Sequence, residues 1–237
     1  MSGDAKGKLF NEVLAHLKGR SAYFPTAAIR EAVRNADLPI TDGSLRVYLS
    51  EAVAKGVLHD AGRGWYSRLI DRVALDPKLV GRLIRAVEKA FPLLDFCVWS
   101  TVQLNPWMHH LLARPIHFLY APTDTLESIG DRLRGEGWEV AVNPGKTTAT
   151  RDVRPGEKMV VLRPAHSKQP PSHGHHSAIE QVLVELLVEN EALGLMDDSE
   201  ALTTLTSCTN IGLVQVAELK RFAEFRQLKW EKIWTVN

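Results

Sequence analysis

The 237-residue sequence predicts an α/β (α+β) chain in two parts: three short helices closed by a β-hairpin, then strands alternating with helices and ending in helices. Three observations predict it. Residues 1–72 carry apolar residues at helical spacing, broken by turn signals, and finish on a glycine-rich hairpin. From Asp71 onward, short apolar runs of strand length alternate with amphipathic stretches. After Ser177 only helical periodicity remains, as a layered α/β domain with C-terminal helices requires.

In the first part, Leu9, Phe10, Val13, Leu14 and Leu17 mark an amphipathic helix that Gly19 ends. Pro25 and Thr26 open a second helix, with Ile29, Ala32 and Val33 inward. Residues 35–40, with Asp37 and Pro39, form the turn before a third helix. Thr41 or Asp42 caps that helix, Leu45, Leu49, Ala52 and Val53 share its inner face, and Gly56 is placed as a left-handed C-terminal cap. Val57 and Leu58 start a strand, residues 61–64 (AGRG) turn, and Trp65 and Tyr66 return. A helix leading into a basic-tipped hairpin is the recognition helix and wing of a winged helix-turn-helix, a fold that docks in DNA grooves. The predicted domains are therefore 1–72, the DNA-binding winged helix-turn-helix, and 73–237, a mixed α/β domain.

Composition sets the frame for both. A hydrophobic share of 45% and a charged share of 24% describe a globular protein. No apolar run approaches a membrane span, and residues 1–8 lack the core of a signal peptide, so a cytoplasmic protein with no membrane contact is expected. Cys97 and Cys208 fit no disulfide framework or zinc motif and read as reduced core thiols. Net charge is +1, which argues against an indiscriminate nucleic-acid binder. Residues 1–72 nevertheless hold eleven Lys/Arg against eight Asp/Glu, a balance of +3 that leaves −2 for the remainder.

In the second part, Asp76 and Pro77 open a helix through Leu79, Leu83, Ile84 and Val87. Strands are expected at 93–99, 116–120, 138–142 and 158–162. A short helix is expected at 101–109, and another, capped by Thr123 or Asp124, runs through Ile129 and Leu133. Residues 143–157, with Lys146, Arg151 and Arg154, read as an extended hairpin loop. A second loop, 164–176, carries Pro170, Pro171 and five His or Lys residues. The last helices begin near Ser177, with Ile179, Val182, Leu183, Leu186 and Leu187 inward, and continue over roughly 199–208 and 212–225.

The segment Val98-Trp99-Ser100-Thr101, with Leu104-Asn105 and His109-His110, resembles the AbiEi-type antitoxins of type IV toxin–antitoxin (abortive infection) systems. The strand at 116–120, the helix at 178–184 and the stretches Thr209-Asn210-Ile211 and 219–223 follow the layout of that family. Gln181 stands where the family has Lys, Glu185 where it has Asp and Phe222 where it has Tyr, marking a divergent branch. The resemblance implies an antitoxin that represses its own operon from inverted repeats. Two copies there, a homodimer on double-stranded DNA, multiply specificity whether or not they dimerise in solution. The resemblance further implies an α/β domain that counteracts a nucleotidyltransferase-like toxin.

The residues expected at the DNA follow from the helix face and the wing. Ser44, Arg46, Val47, Tyr48 and Ser50 lie off the apolar face of the third helix. Arg46 suits a bidentate contact to guanine, and Ser44 and Tyr48 suit phosphates. Arg63 at the wing tip and Arg68 beside it suit phosphate or the minor groove, and Lys6, Lys8 and Arg30 suit backbone phosphate. Trp65 and Tyr66 read as packing residues, and Glu51 as pointing away from DNA.

Other chemistries find little support. Residues 173–176 (HGHH) form no tetrahedral metal set, and no metal or cofactor is implied. Residues 144–147 (PGKT) lack the Walker glycine, Val140 standing in its place, and no helix is expected to follow. Ser100 has no nucleophile elbow around it. The chain therefore reads as a non-enzyme. The alternatives are a nuclease-like DNA-associated enzyme using Asp95 and Glu218, or a ligand-sensing transcriptional regulator.

Overall fold

The computed structural model describes residues 2–112 and 115–234. They form a mixed α/β architecture with two small sheets and fall into two compact units. The first takes in the described residues of Met1–Val73, Cys208–Arg221 and Lys229–Asn237, and the second Ala74–Ser207 and Phe222–Leu228. Among the described residues no helix is long and apolar enough to cross a membrane.

The first unit opens on a continuous helical run. α1 (Ser2–Lys8) passes through a π-helical turn at Leu9–Val13 into α2 (Leu14–Arg20), which ends one residue after Gly19. The chain then forms β1 (Tyr23–Pro25), α3 (Thr26–Asn35), α4 (Asp42–Ala54), β2 (His59–Asp60) and β3 (Trp65–Ser67). Asp37, at φ 50°, turns the chain between α3 and α4. Thr41 caps α4, its hydroxyl accepting from the Ser44 amide, and Gly56 takes φ 67° as a left-handed cap. The first hairpin strand starts two residues later than expected: Val57 and Leu58 are consumed by the helix cap, their amides bonding Ala52 O. β3 is the centre of a three-stranded antiparallel sheet, with β2 on one side and β1, a strand the sequence reading missed, on the other. Leu9, Leu14, Phe24, Ile29, Leu45, Leu49 and Leu58 close its core.

The first segment of this unit ends at Val73, next to the boundary expected at 72, but the unit is discontinuous in sequence. Residues from the far end of the chain return to it. The buried Tyr23 hydroxyl donates to Gly212 O at 2.6 Å and accepts from the Val214 amide at 2.9 Å. Leu213 N–H donates to Asp71 O, and Val73 N–H donates back to Leu213 O. Extended pairing at 213 is why the helix expected from 212 starts only at Val216.

In the second unit, a 3-10 turn at Pro77–Leu79, capped by Asp76, leads into α5 (Gly81–Ala90). β4 (Cys97–Ser100), β5 (His117–Ala121), α6 (Leu126–Gly135), β6 (Glu139–Val142), α7 (Lys146–Asp152), β7 (Met159–Pro164) and α8 (Ile179–Leu193) follow. The first strand is shorter than expected, with Leu93 99% exposed outside it. The short helix expected at 101–109 is a 3-10 helix over Thr101–Trp107. The sheet order is β4-β5-β7-β6, with β4 antiparallel to β5 and the other three strands parallel. A parallel β6–β7 pair cannot be joined by a hairpin, so the expected loop at 143–157 is a crossover and contains α7. Its run of threonines has weak helix propensity, and buried Ala149 anchors it.

Strand alternation splits the side chains between two covered faces. Val98, Leu119, Ala121, Val160 and Leu162 pack under α5 and α6. Cys97, Tyr120 and Arg163 face the opposite way, toward α8. The chain closes with α9 (Asp198–Ile211), α10 (Val216–Phe225) and α11 (Trp230–Ile233).

Candidate nucleic-acid interface

Helix α4 exposes three of the five residues expected on its outer face, Arg46, Val47 and Ser50. Leu45, Leu49 and Ala52 are buried, whereas Arg46 and Ser50 are exposed and Val47 is 56% exposed. Among the described residues Arg46 has no ion-pair partner, so its guanidinium is uncommitted. Ser44 is half-buried, and its amide and hydroxyl are both engaged by Thr41 in the helix cap. Tyr48 is half-buried against the core, with Lys6 Nζ 5.3 Å from its ring centre.

The hairpin is built to hold its tip still. The Asp60 carboxylate accepts from Gly62 N–H at 3.0 Å, and Trp65 N–H donates to Gly62 O at 2.8 Å. Gly62 takes φ 93°, and a Cβ there would meet Ala217 Cβ at 2.7 Å, so no other residue fits this turn. Gly64 O accepts from both the amide and the hydroxyl of Thr26, tying the turn to the start of α3. Arg63 and Arg68 remain exposed, with no ion-pair partner among the described residues.

Trp65 and Tyr66 are packing residues. Trp65 meets Trp234 edge-on at 5.9 Å, Trp234 stacks on Trp230 at 4.8 Å, and Tyr66 rests on the first unit's core. Burial, with the nearby Asp60, pushes the Tyr66 phenol above its ordinary value.

The outlying cations stand differently. Lys6 is bound to Glu51, whose carboxyl that hydrogen bond holds below its ordinary value, and Lys55 adds a second contact at 3.9 Å. Glu51 is thus turned onto α1. Lys8 pairs with Asp4 at 3.6 Å, and Arg30 with Asp42 at 3.0 Å. Of the ten positions expected at DNA, Arg46, Val47, Ser50, Arg63 and Arg68 are presented outward, while Ser44, Tyr48, Lys6, Lys8 and Arg30 have intramolecular partners.

The remaining sequence candidates are placed as follows. Residues 173–176 form a turn, with His175 Nδ1 2.9 Å from Phe96 O and its ring stacked on Phe96 at 3.9 Å. His109 and His110 are exposed, their amides donating to the Glu200 carboxylate. Ser100 Oγ donates to Ile116 O. Burial pushes the Cys97 thiol up, keeping it protonated between Gln169 and Gln181. Asp95 is exposed in the second unit, and Glu218, in the first, is paired with Arg221.

The sequence reading missed a buried polar stripe on α8. Gln181, Glu185 and Glu189, four residues apart, share one helix face, and the latter two are 0% and 1% exposed. Gln181 meets Cys97 of β4. Glu189 meets Tyr120 of β5 at 3.4 Å and Arg163 of β7 at 2.6 Å. Glu185 accepts from Arg226 Nη2 at 3.1 Å, and Arg226 Nη1 lies 2.7 Å from His166 Nε2. The four-residue spacing of Gln181, Glu185 and Glu189 in an otherwise apolar stretch was the available signal.

No curated protein matches the chain. Residues 44–236 match the model of one family, from the exposed face of α4 through the hairpin and the α/β unit. That match spans most of the sequence, and the chain belongs to the Family of unknown function (DUF6577).

Proposed function

We propose that this chain is a DNA-binding transcriptional regulator whose first unit is a winged helix-turn-helix. In this reading α3 and α4 are the helix-turn-helix, α4 enters the major groove, and the β2–β3 hairpin is the wing. The observation that carries it is the outward, uncommitted set Arg46, Val47 and Ser50 on α4, with Arg63 and Arg68 on the hairpin. Arg46 suits the acceptor pair of guanine, and the Val47 methyls suit a thymine methyl. Arg63 and Arg68 set register on phosphates and give an affinity that falls with salt. A hairpin tied by Thr26 to Gly64 O and by the Ala217 amide to Ala61 O presents Arg63 in a defined geometry, which lowers the ordering cost of docking.

The resemblance to AbiEi-type antitoxins extends this proposal to a cytoplasmic repressor acting as a homodimer on inverted repeats upstream of its own operon. The α/β unit is then the part that counteracts a nucleotidyltransferase-like toxin. A gel-shift titration on the upstream DNA against scrambled competitor, at two salt concentrations, tests the DNA-binding core of the reading. Specific binding that weakens with salt is expected, and absence of binding would overturn it.

A further inference from the structure

The β5 and β7 strands lie side by side and parallel, yet the chain leaves their carboxyl ends toward opposite faces of the sheet. After β5 it enters α6, which packs with Leu119, Ala121 and Leu162. After β7 it leads to α8, which packs with Tyr120 and Arg163. Adjacent strands whose connections diverge in this way leave a crevice at their carboxyl ends, the place where open α/β sheets take their ligands. A cavity of about 350 Å³ opens at that point, within the size range of small-molecule pockets.

Its polar wall is cationic. Arg163, Arg226 and Lys146 all line it, against the single lining carboxylate of Glu189. Even with Glu185 counted behind Arg226, three cations face two carboxylates. Lys146 is exposed at the start of α7 and has no ion-pair partner among the described residues. Arg226, which lines the wall, has its Nη groups on His166 and Glu185 and its Nε buried with no hydrogen-bond partner. Arg163 is held rigid, its Nη1 donating to Pro144 O at 2.7 Å and to Asn143 Oδ1 at 3.2 Å. Val188 and Ala192 supply an apolar wall beside these groups. An unmatched cation, an unmatched guanidinium donor and an apolar wall together suit an anion that carries an organic body.

We propose that this crevice binds a small organic phosphate of about mononucleotide size, its phosphate held by Lys146 and Arg226 and its body against Val188 and Ala192. The site belongs wholly to the α/β unit, so the proposal stands or falls independently of the DNA-binding reading. It adds to that reading a ligand that the regulator could sense.

Calorimetric titration of the full chain with adenosine monophosphate, ribose 5-phosphate, adenosine and inorganic phosphate tests it. The organic phosphates are expected to bind saturably and to raise the melting temperature, and adenosine to do neither. Lys146→Met, an exposed change that leaves the fold alone, is expected to weaken that binding about tenfold through loss of one charge-assisted contact. Ala192→Trp, which fills the crevice, is expected to abolish it. Failure of both organic phosphates to bind would overturn the proposal. Binding that neither variant alters, or adenosine binding as tightly as its monophosphate, would do the same.

Discussion

Arg163 and Glu189 meet side on, with Nε and Nη2 of the guanidinium donating to the two carboxylate oxygens at 2.8 and 2.6 Å. The side chains are 13% and 2% exposed, so this fork ties β7 to α8 away from water. Removing one partner of a buried pair leaves an uncompensated charge, whereas removing both can be close to neutral. Arg163→Ala should therefore cost about 3–5 kcal/mol. The double change Arg163→Met with Glu189→Leu should cost far less. Urea unfolding of the three proteins checks this, and equal losses in the single and double variants would contradict it.

Tyr23 is the bolt of the first unit. Its hydroxyl serves both Gly212 O and the Val214 amide, two backbone groups with no route to water. Tyr23→Phe leaves both unmatched and should destabilise the chain by about 1–3 kcal/mol. Hydrogen exchange at the Val214 amide should quicken in the same variant. An unchanged exchange rate would mean that the 208–221 return is held by something else.

Glu185 gives the α/β unit a pH signature. Burial pushes its carboxyl from 4.5 up to about 7, against the opposing pull of Arg226. The folded state thus favours its neutral form. The stability this gives is complete below pH 4.5 and is lost as pH rises through about 7. His166 runs the other way. Burial first, and Arg226 second, lower it from 6.5 to about 4, so its contribution is present above pH 6.5 and is lost as pH falls through about 4. The two slopes oppose each other in the parent protein. In Glu185→Gln only the histidine slope remains. The variant should gain on the parent by about 3 kcal/mol between pH 4.5 and pH 7. Thermal melts across that range check the sign, and a pH-independent difference between the two proteins would refute it.

Arg46 and Arg63 should fail in different ways. Arg46→Ala removes the proposed base contact and should cost about 1–3 kcal/mol on the cognate sequence only. Arg63→Ala should weaken binding on every sequence alike and lower the salt slope by about one. Competition titrations on cognate and scrambled duplexes separate the two patterns. Equal losses on both duplexes in both variants would remove the assigned roles.

Where the sequence carries a local rule, it reads through to the structure. Thr41 and Gly56 bracket α4 because capping is a matter of a few adjacent residues, and the inward face of Leu45 and Leu49 follows from helical spacing alone. What stayed hidden depends on partners far along the chain. β1 exists because residues 23–25 pair with residues 65–67, and Tyr23 bonds a glycine 189 positions away. α7 hid behind threonines and a Pro-Gly start that locally favour a loop. The carboxylates of α8 are tolerated in the interior only because Arg163 and Arg226 arrive from a strand and from the turn after α10, and the pattern of α8 does not announce those partners. The candidate DNA face was legible because it needs only the outer residues of one helix and one turn. The crevice was not, since three strand ends and two helices make it.

Hydroxyl-radical footprinting of the full chain on its upstream DNA tests the central claim most directly. Two protected half-sites about one helical turn apart, centred on an inverted repeat, are expected, with Arg46→Ala erasing the pattern. Cleavage that stays uniform at protein concentrations saturating any other activity would contradict it.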